Sequence, residues 1–426
     1  QYREIILEKI PPLIQQAKIM SQKYDVVCTN PPYMGNKGIN DKLKKFISEK
    51  FKDVKSDLFS VFIVRNFDYT KPSGHLGYMT PFVWMFISSY EKLREIIVRD
   101  KYITSLVQLE YSGFDEATVP ICTFTIRNTY IPAKGEYIRL SDFRGADMQE
   151  IKTLEAVRNP NVNFRYSVCS NNFEKIPGMP IAYWVSDSII DIFKKGISID
   201  KISDFTGSQN ITANNNKYLR LFWEVENRRI KDFRWVFYAK GGEFRKHYGN
   251  LDNVVDWSIE ARHFYKNNST SNLLDEKYWY KEGITYNGIS IKGAGFRYLP
   301  EGCVFDKGGP TINYVNNLYY VLALLNSKIT TVFLSLLNPT INIQVKDIKN
   351  IPIIISDKYL DTVEYIEKNN IDMSKTDWDS FETSWDFKKH PLLTYKKGVD
   401  KIEGAFNNWS AFANQQFNQL KANEEE

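Results

Sequence analysis

Apolar residues recur at helical spacing over residues 4–22, where the pair Pro11-Pro12 is expected to interrupt the helix. A short apolar run follows, Tyr24-Asp25-Val26-Val27-Cys28-Thr29, which reads as a buried strand ending at Asn30-Pro31-Pro32-Tyr33. Residues 35–38 are glycine-rich, and residues 42–51 suit a polar helix. Asp57-Leu58-Phe59 opens an apolar helix, with Asp57 placed to cap its N-terminus. Residues 74–81 read as a turn and strand, and residues 88–99 as an amphipathic helix. Runs rich in β-branched residues at 102–109, 120–127 and 136–140 read as strands. Strands alternating with helices, then adjacent strands, predict an α/β fold: a parallel sheet finished by an antiparallel hairpin.

The pattern changes after residue 158. Residues 159–180, rich in Asn and carrying three prolines, read as a linker, and residues 186–195 as a connecting helix. From residue 197 the chain has short strands and glycine turns, with a helical insert over 314–337. Beyond residue 357 it is polar and partly helical. The expected organisation is a sheet domain (1–158), a linker with connecting helix (159–196), a mixed α/β short-stranded domain (197–356) and a tail (357–426).

Composition narrows the class without naming a function. Hydrophobic residues at 43% and charged residues at 25% are ordinary for a soluble globular chain of 426 residues. The most apolar stretch, 319–337, is broken by Asn326, Ser327 and Lys328, so no membrane span is expected. The four cysteines, Cys28, Cys122, Cys169 and Cys303, have no metal-ligand spacing. Together with the lack of a signal-peptide pattern, they lead us to expect a reducing, cytoplasmic setting. Residue 1 is Gln, and the helix after it already reads as packing against something, so the chain is expected to be a piece of a longer protein.

Candidate chemistry centres on Asn30-Pro31-Pro32-Tyr33. Proline lacks a backbone donor and fixes φ, so two in succession make a stiff turn with free carbonyls. The residue before a proline is held extended, so Asn30 leaves the strand without entering a helix. Its side-chain oxygen and the Pro31 carbonyl are then able to converge on one NH2 group, beside the flat ring of Tyr33. An amine of a planar base or an amide suits such a site, held toward an electrophilic methyl. The plain alternative is an ordinary Pro-Pro turn after a core strand.

The formal charge of +5 is unevenly placed: residues 201–250 hold ten Lys and Arg against five Asp and Glu. These basic residues are interleaved with Asn and aromatic residues: Asn214-Asn215-Asn216-Lys217 and Arg220, then Arg228-Arg229, Arg234, Lys240 and Arg245-Lys246. Lys and Arg neutralise phosphates, and Asn and Arg read base edges, which makes this segment a candidate DNA-binding surface. A solvated charged face is the plain alternative.

The order of motifs Asn30-Pro31-Pro32-Tyr33, Asp57-Leu58-Phe59, Gly77-Tyr78-Met79-Thr80-Pro81 and the final strands resembles the rear half of a class I (Rossmann-like) S-adenosylmethionine-dependent amino-methyltransferase. The strings Lys217-Tyr218-Leu219-Arg220-Leu221-Phe222-Trp223-Glu224-Val225, Tyr238-Ala239-Lys240-Gly241-Gly242-Glu243-Phe244-Arg245-Lys246, Tyr298-Leu299-Pro300-Glu301-Gly302, Leu325-Asn326-Ser327-Lys328, Leu337-Asn338-Pro339-Thr340 and Ser384-Trp385-Asp386-Phe387 are more specific. They resemble the PglX-type adenine-specific DNA methyltransferases of BREX phage-defence systems, which are related to fused restriction-modification enzymes. The likeness covers most of residues 14–393.

The resemblance implies a catalytic domain followed by a target-recognition domain, and S-adenosyl-L-methionine as cofactor. It also implies double-stranded DNA as substrate and, among possible partners, other defence-system proteins. Adenine would be flipped out, its amine held by Asn30 and the Pro31 carbonyl, with Tyr33 stacked on the base. Asn30 would also line the cofactor side. The family's glycine-rich loop and ribose-binding acid have no match here and are expected upstream of residue 1, so weak or absent cofactor binding is expected of this piece alone. Gly241-Gly242, Gly293-Ala294-Gly295 and Gly308-Gly309 read as turns instead.

Three rivals remain open at this stage. One is a DNA-recognition module served by a catalytic partner, and another is methylation of a protein glutamine amide. The third is a nuclease built on Asp142 and Glu150-Ile151-Lys152, a spacing that arises easily by chance. The four histidines form no ligand pair at helical spacing, and His75 reads as a turn residue.

Overall fold

The alternation of strands and helices closes into a six-stranded sheet in the computed structural model of this chain. The structure describes all residues except 1, 36, 112–119, 207–208, 289–292, 339–342 and 397. Residue 36 of the glycine stretch, residues 112–119, and Pro339 and Thr340 of the quoted strings thus lie outside the described residues. The chain divides into two units, Gln1–Lys194 and Lys195–Glu426.

In chain order the first unit carries α1 (Tyr2–Ser21), β1 (Tyr24–Thr29), α2 (Asp41–Lys50), α3 (Leu58–Tyr69), β2 (Thr70–Pro81) and α4 (Glu91–Asp100). After these come β3 (Tyr102–Gln108), β4 (Ile121–Arg127), β5 (Lys134–Arg139), α5 (Ala146–Arg158) and β6 (Arg165–Cys169), with α6 (Asp187–Lys195) at the boundary. The sheet order is β1-β2-β4-β3-β5-β6. Strands β1 and β2 are parallel, as are β3 and β5, but β4 runs antiparallel to both β2 and β3.

The sheet departs from the expected terminal hairpin because β4 doubles back into the middle. Its alternation fits that place: Cys122, Phe124 and Ile126 enter the core, while Thr123 and Thr125 face out. The segment expected as a linker supplies β6, antiparallel to β5, with Tyr166 and Val168 packed on the core. His75, expected in a turn, pairs within β2 opposite Arg127. β1 is an edge strand rather than a buried one, paired on one side only, and Val26 is 63% exposed. Helix α1 runs unbroken through Pro11 and Pro12. The carbonyls those prolines deprive of partners, on Leu7 and Glu8, lie on an exposed helix where water can reach them.

One buried cation braces the segment that follows β2. Arg94 is almost wholly enclosed, and its guanidinium donates to the carbonyls of Trp84, Ile87 and Gly178, each at 2.8 Å. Burial draws its pKa down to about 10, still far above neutrality, so the fork stays charged and three loop carbonyls are satisfied at once.

The second unit contains β7 (Ile197–Ser198), β8 (Asp204–Phe205), α7 (Asn215–Tyr218), β9 (Leu219–Leu221), α8 (Asn227–Lys231), β10 (Trp235–Ala239), β11 (Asn253–Asp256) and α9 (Ile259–Asn267). It continues with β12 (Gly283–Tyr286), β13 (Phe296–Leu299), β14 (Cys303–Phe305), β15 (Thr311–Asn313), α10 (Leu318–Asn326), α11 (Lys328–Leu337) and α12 (Val345–Lys349). Last come β16 (Pro352–Ile353), α13 (Leu360–Trp378), α14 (Pro391–Thr394) and α15 (Ile402–Glu425). Two four-stranded sheets, β14-β10-β11-β9 and β13-β12-β15-β8, form its frame. Among the described residues no single helix is long and apolar enough to cross a membrane.

The segment read as a tail packs into this second unit. Trp385 stands perpendicular to Phe222 and nearly so to Phe237, with ring centres 5.6 Å from each, against the β9–β10 region. Helices α13 and α15 meet around His247, whose Nδ1 lies 2.8 Å from Glu367 and whose Nε2 lies 3.1 Å from Glu424. Lys246 also reaches Glu424, while Asn370 and Asn326 approach Glu367 and the ring. Burial disfavours a charged imidazole here, but hydrogen bonds to the two carboxylates outweigh it and leave the His247 pKa raised. Those bonds hold Glu424 below its usual value, against the opposing effect of burial.

A raised histidine stabilises fully below its unfolded value, about 6.5, and loses that contribution as pH climbs through the folded value. A depressed carboxylate does the reverse below about 4.3. Unfolding in urea is therefore expected to show a stability maximum between these limits and a decline toward pH 8. His247→Ala should flatten that decline and cost about 3 kcal/mol, since it strands Glu367 in the interior.

Candidate functional site

Strand β1 pairs with β2 up to Thr29 opposite Tyr78, and the next residue is Asn30. Cys28 lies opposite Gly77, and a Cβ on Gly77 would stand 3.1 Å from the Cys28 sulfur, so the two strands meet through their smallest side chains here. Pro31 has no amide hydrogen with which to continue the ladder, so the chain leaves the sheet. Pro31 is buried, while Asn30, Pro32 and Tyr33 are exposed.

The turn is then tied to α3. Asp57 caps that helix by accepting from the Phe59 amide at 3.2 Å, and the same oxygen accepts from the Met34 amide at 3.0 Å. The Leu58 amide donates to the Met34 carbonyl at 3.0 Å. One carboxylate thus fixes both the first turn of α3 and the residue after Tyr33, as its position in the sequence predicts for the cap.

Tyr33 turns its hydroxyl back onto Asn30, donating to Oδ1 at 2.9 Å, and the same hydroxyl lies 3.2 Å from the Met79 carbonyl oxygen. Its ring stands edge-on to Phe59 at 6.4 Å, and Phe59 in turn packs against Tyr90. Burial raises the Tyr33 pKa, and the nearby Cys122 thiol pushes the same way. Cys122 is itself pushed up to about 12 by burial. Both groups are therefore neutral at physiological pH. What the turn offers is acceptors and a ring, the chemistry of holding an amine.

Beyond Pro81 at the end of β2, Phe82 packs edge-on against the half-exposed Tyr111, so aromatic surface also gathers at this end of the sheet. In an open α/β sheet, the carboxyl ends of strands are where ligands bind.

In the second unit the basic residues singled out in the sequence separate into groups. Asn215, Asn216, Arg220 and Lys240 line one open groove, joined by Glu224 and Asn253. Two of the asparagines are committed locally: Asn214 caps α7 through the Lys217 amide, and Asn215 accepts from the Thr212 hydroxyl. Arg220 donates to the carbonyls of Asn216 and Leu219, which holds its guanidinium at the groove wall. The Lys217 ammonium lies over the Tyr218 ring.

Arg228 and Arg229 sit on α8, paired with Asp232 at 3.5 Å and Glu226 at 3.2 Å, and their side chains remain largely in solvent. Such exposed pairs are weak and open to exchange with another anion. Arg234 is also exposed. Arg245 and Lys246 do not join the groove: Arg245 lies over the Trp378 ring, and Lys246 pairs with Glu424.

The paired glycines of this unit pack in turns. Gly241 has φ +88°, and a Cβ there would meet the Gly308 carbonyl oxygen at 2.6 Å, while one on Gly309 would meet the Ala239 oxygen at 2.8 Å. These backbones already fill each other's concavities and leave no cradle for a ligand. Asp142 lies in a turn after β5, and Glu150 and Lys152 lie on α5, where Lys152 pairs with Glu155. Among the described residues, no group of three or more His, Cys, Asp or Glu could hold a metal ion. Asn253 and Glu224, in the groove, and the His247 cluster were not singled out from sequence. The carboxylates that meet His247 lie 120 and 177 residues further along the chain, beyond the reach of any local pattern.

Residues 6–114 match the family model described as Eco57I restriction-modification methylase. The adenine-specific methyltransferase PglX of Lacticaseibacillus casei (strain Zhang) is 34% identical over 97% of this chain and 36% of its own length. The adenine-specific methyltransferase BrxX of Escherichia coli O9:H4 (strain HS) is 35% identical over 94% of this chain and 33% of its own length. The chain thus spans about a third of the length of these curated relatives. Among solved structures, the Type IIL restriction-modification enzyme MmeI in complex with DNA aligns at TM-score 0.49 and 10% identity, covering 94% of this chain and 57% of that one.

Proposed function

Because the chain belongs, over nearly all of its own length and about a third of theirs, to the family of the adenine-specific methyltransferases PglX and BrxX, we propose that it carries the target-amine site and the DNA-recognition part of a site-specific adenine DNA methyltransferase. The protein would serve in a phage-defence or restriction-modification system, with double-stranded DNA as its principal partner. The observation that carries this reading is the turn at Asn30: an amide oxygen at the carboxyl end of β1, beside a proline pair that has no amide hydrogen to continue the ladder.

The chemistry follows from those groups. An exocyclic amine is a poor nucleophile because its lone pair is delocalised into the ring. Asn30 Oδ1 and the Pro31 carbonyl, each accepting one amine hydrogen, would draw the nitrogen toward tetrahedral geometry and aim the lone pair. Tyr33 would stack on the base once it has left the duplex, returning part of the unstacking cost. In the second unit, Arg228 and Arg229 would meet phosphates, and the groove at Asn216, Arg220, Lys240 and Asn253 would face base edges.

S-adenosyl-L-methionine would supply the methyl group. Of this chain's residues, Asn30 to Tyr33 fit one side of its reactive end, while the closed glycine turns of the second unit do not fit its methionine portion. Calorimetric titration of the 426-residue chain is accordingly expected to give binding weaker than micromolar, and micromolar binding would mean a complete pocket lies within it.

In the full protein, Asn30→Ala is expected to abolish adenine methylation of duplex DNA while leaving DNA affinity within about twofold, because the acceptor acts on the amine and not on the duplex. Persistent methylation in that variant would refute the role of the turn. Replacing Arg228 and Arg229 together by Gln should weaken binding to all sequences. It should also make the slope of log affinity against log salt shallower by about 2, and an unchanged slope would remove both from the phosphate contacts.

A further inference from the structure

The acceptor that should take the target amine is already engaged. Tyr33 donates to Asn30 Oδ1 at 2.9 Å while standing 3.2 Å from the Met79 carbonyl oxygen. A phenol has one proton, so the two acceptors share it. The contact to Phe59 holds the ring edge-on in this pose. An amide oxygen has two lone pairs, and the hydroxyl holds one of them, so an amine arriving at Asn30 competes with a bond already made.

We infer that the Tyr33 hydroxyl is a stand-in for the target amine, held on the Asn30 acceptor until a base displaces it. This rests on the reading of Asn30 as the amine acceptor. The exchange is favourable only for the right group. An amine brings two hydrogens, one for Asn30 Oδ1 and one for the Pro31 carbonyl, where the phenol brings one shared proton. A base with a keto oxygen at that place brings none and leaves the Tyr33 contact in force. Tyr33 thereby contributes to discrimination at docking, before any methyl moves, by making every candidate base compete with a hydrogen bond already formed.

The test uses the full protein that carries this chain and a duplex in which the adenine it methylates is replaced by 2-aminopurine. That base fluoresces when unstacked and lacks the amine at the methylated position, so it cannot compensate for displacing the hydroxyl. Tyr33→Phe keeps the ring and removes the competing donor. It should raise both the fluorescence on binding and the affinity for this duplex, the latter by about fivefold, the worth of one ordinary hydrogen bond. In an Asn30→Ala background the same change should yield less than about a twofold gain, because half of the shared contact is already gone.

A purely structural role for the hydroxyl predicts the opposite sign, with looser binding and weaker fluorescence. Either that result or no change would overturn the inference. If Tyr33→Phe fails to fold, a fluorinated tyrosine at position 33 replaces it. Its hydroxyl ionises at lower pH and then cannot donate, so affinity should rise across its titration, and a flat profile would overturn the inference. Failure of the wild-type protein to methylate adenine would instead remove the underlying reading, which keeps the two outcomes apart.

Discussion

The missing amide hydrogen of proline is the constraint on which the first unit's chemistry depends. Up to Thr29 the chain is an ordinary strand whose path is dictated by the ladder to β2. At Pro31 the ladder cannot continue, and a second proline prevents the chain from recovering it one residue later. The polypeptide therefore turns away from the sheet at Asn30, beside the end of the neighbouring strand β2. Asp57 then captures the emerging chain at Met34 and starts a helix with the same oxygen. Strand, turn and helix are thus joined by one deletion of a donor and one carboxylate.

The second unit depends on a different kind of constraint. Its short strands cannot each bury much apolar surface, and its closure uses polar groups brought in from far along the chain. His247 takes one carboxylate from α13 and another from α15, and Trp385 enters between aromatic rings near β9 and β10. Buried charge of this sort adds little net stability, but it tolerates few alternative arrangements, since a shifted helix leaves a carboxylate unpaired.

How much of this was legible in the sequence depended on the range of the interaction involved. The Asn30 turn, the Asp57 cap and most helices were legible because their causes lie within a few residues. The place of β4 was not, since its alternation of Cys122, Phe124 and Ile126 names a buried strand without naming its neighbours. Residues 165–169 were hidden by the Asn and Pro around them, although Tyr166 and Val168 carry the alternation of a strand. The basic segment was visible as composition, yet its division into a groove, an exposed helix and a paired cluster required tertiary contacts. Arg220 looked like a free cation and is partly spent on two carbonyls of its own loop. The glycine pairs were legible as turns, and their packing against one another gives the reason.

The contact of Gly77 with Cys28 bears on how accurately the acceptor is placed. Side chains on one face of adjacent strands usually tolerate small relative sliding, because bulky groups can rotate to accommodate it. Here a hydrogen atom faces a thiol, and even one added methyl carbon would stand only 3.1 Å from the sulfur. Sliding β1 by one residue along β2 would set Cys28 against Leu76 or Tyr78, where the gap is already filled. The two small residues therefore work as a key and its notch, indexing Asn30 against Met79. Their sizes form a ruler for the site, although neither of them touches its chemistry.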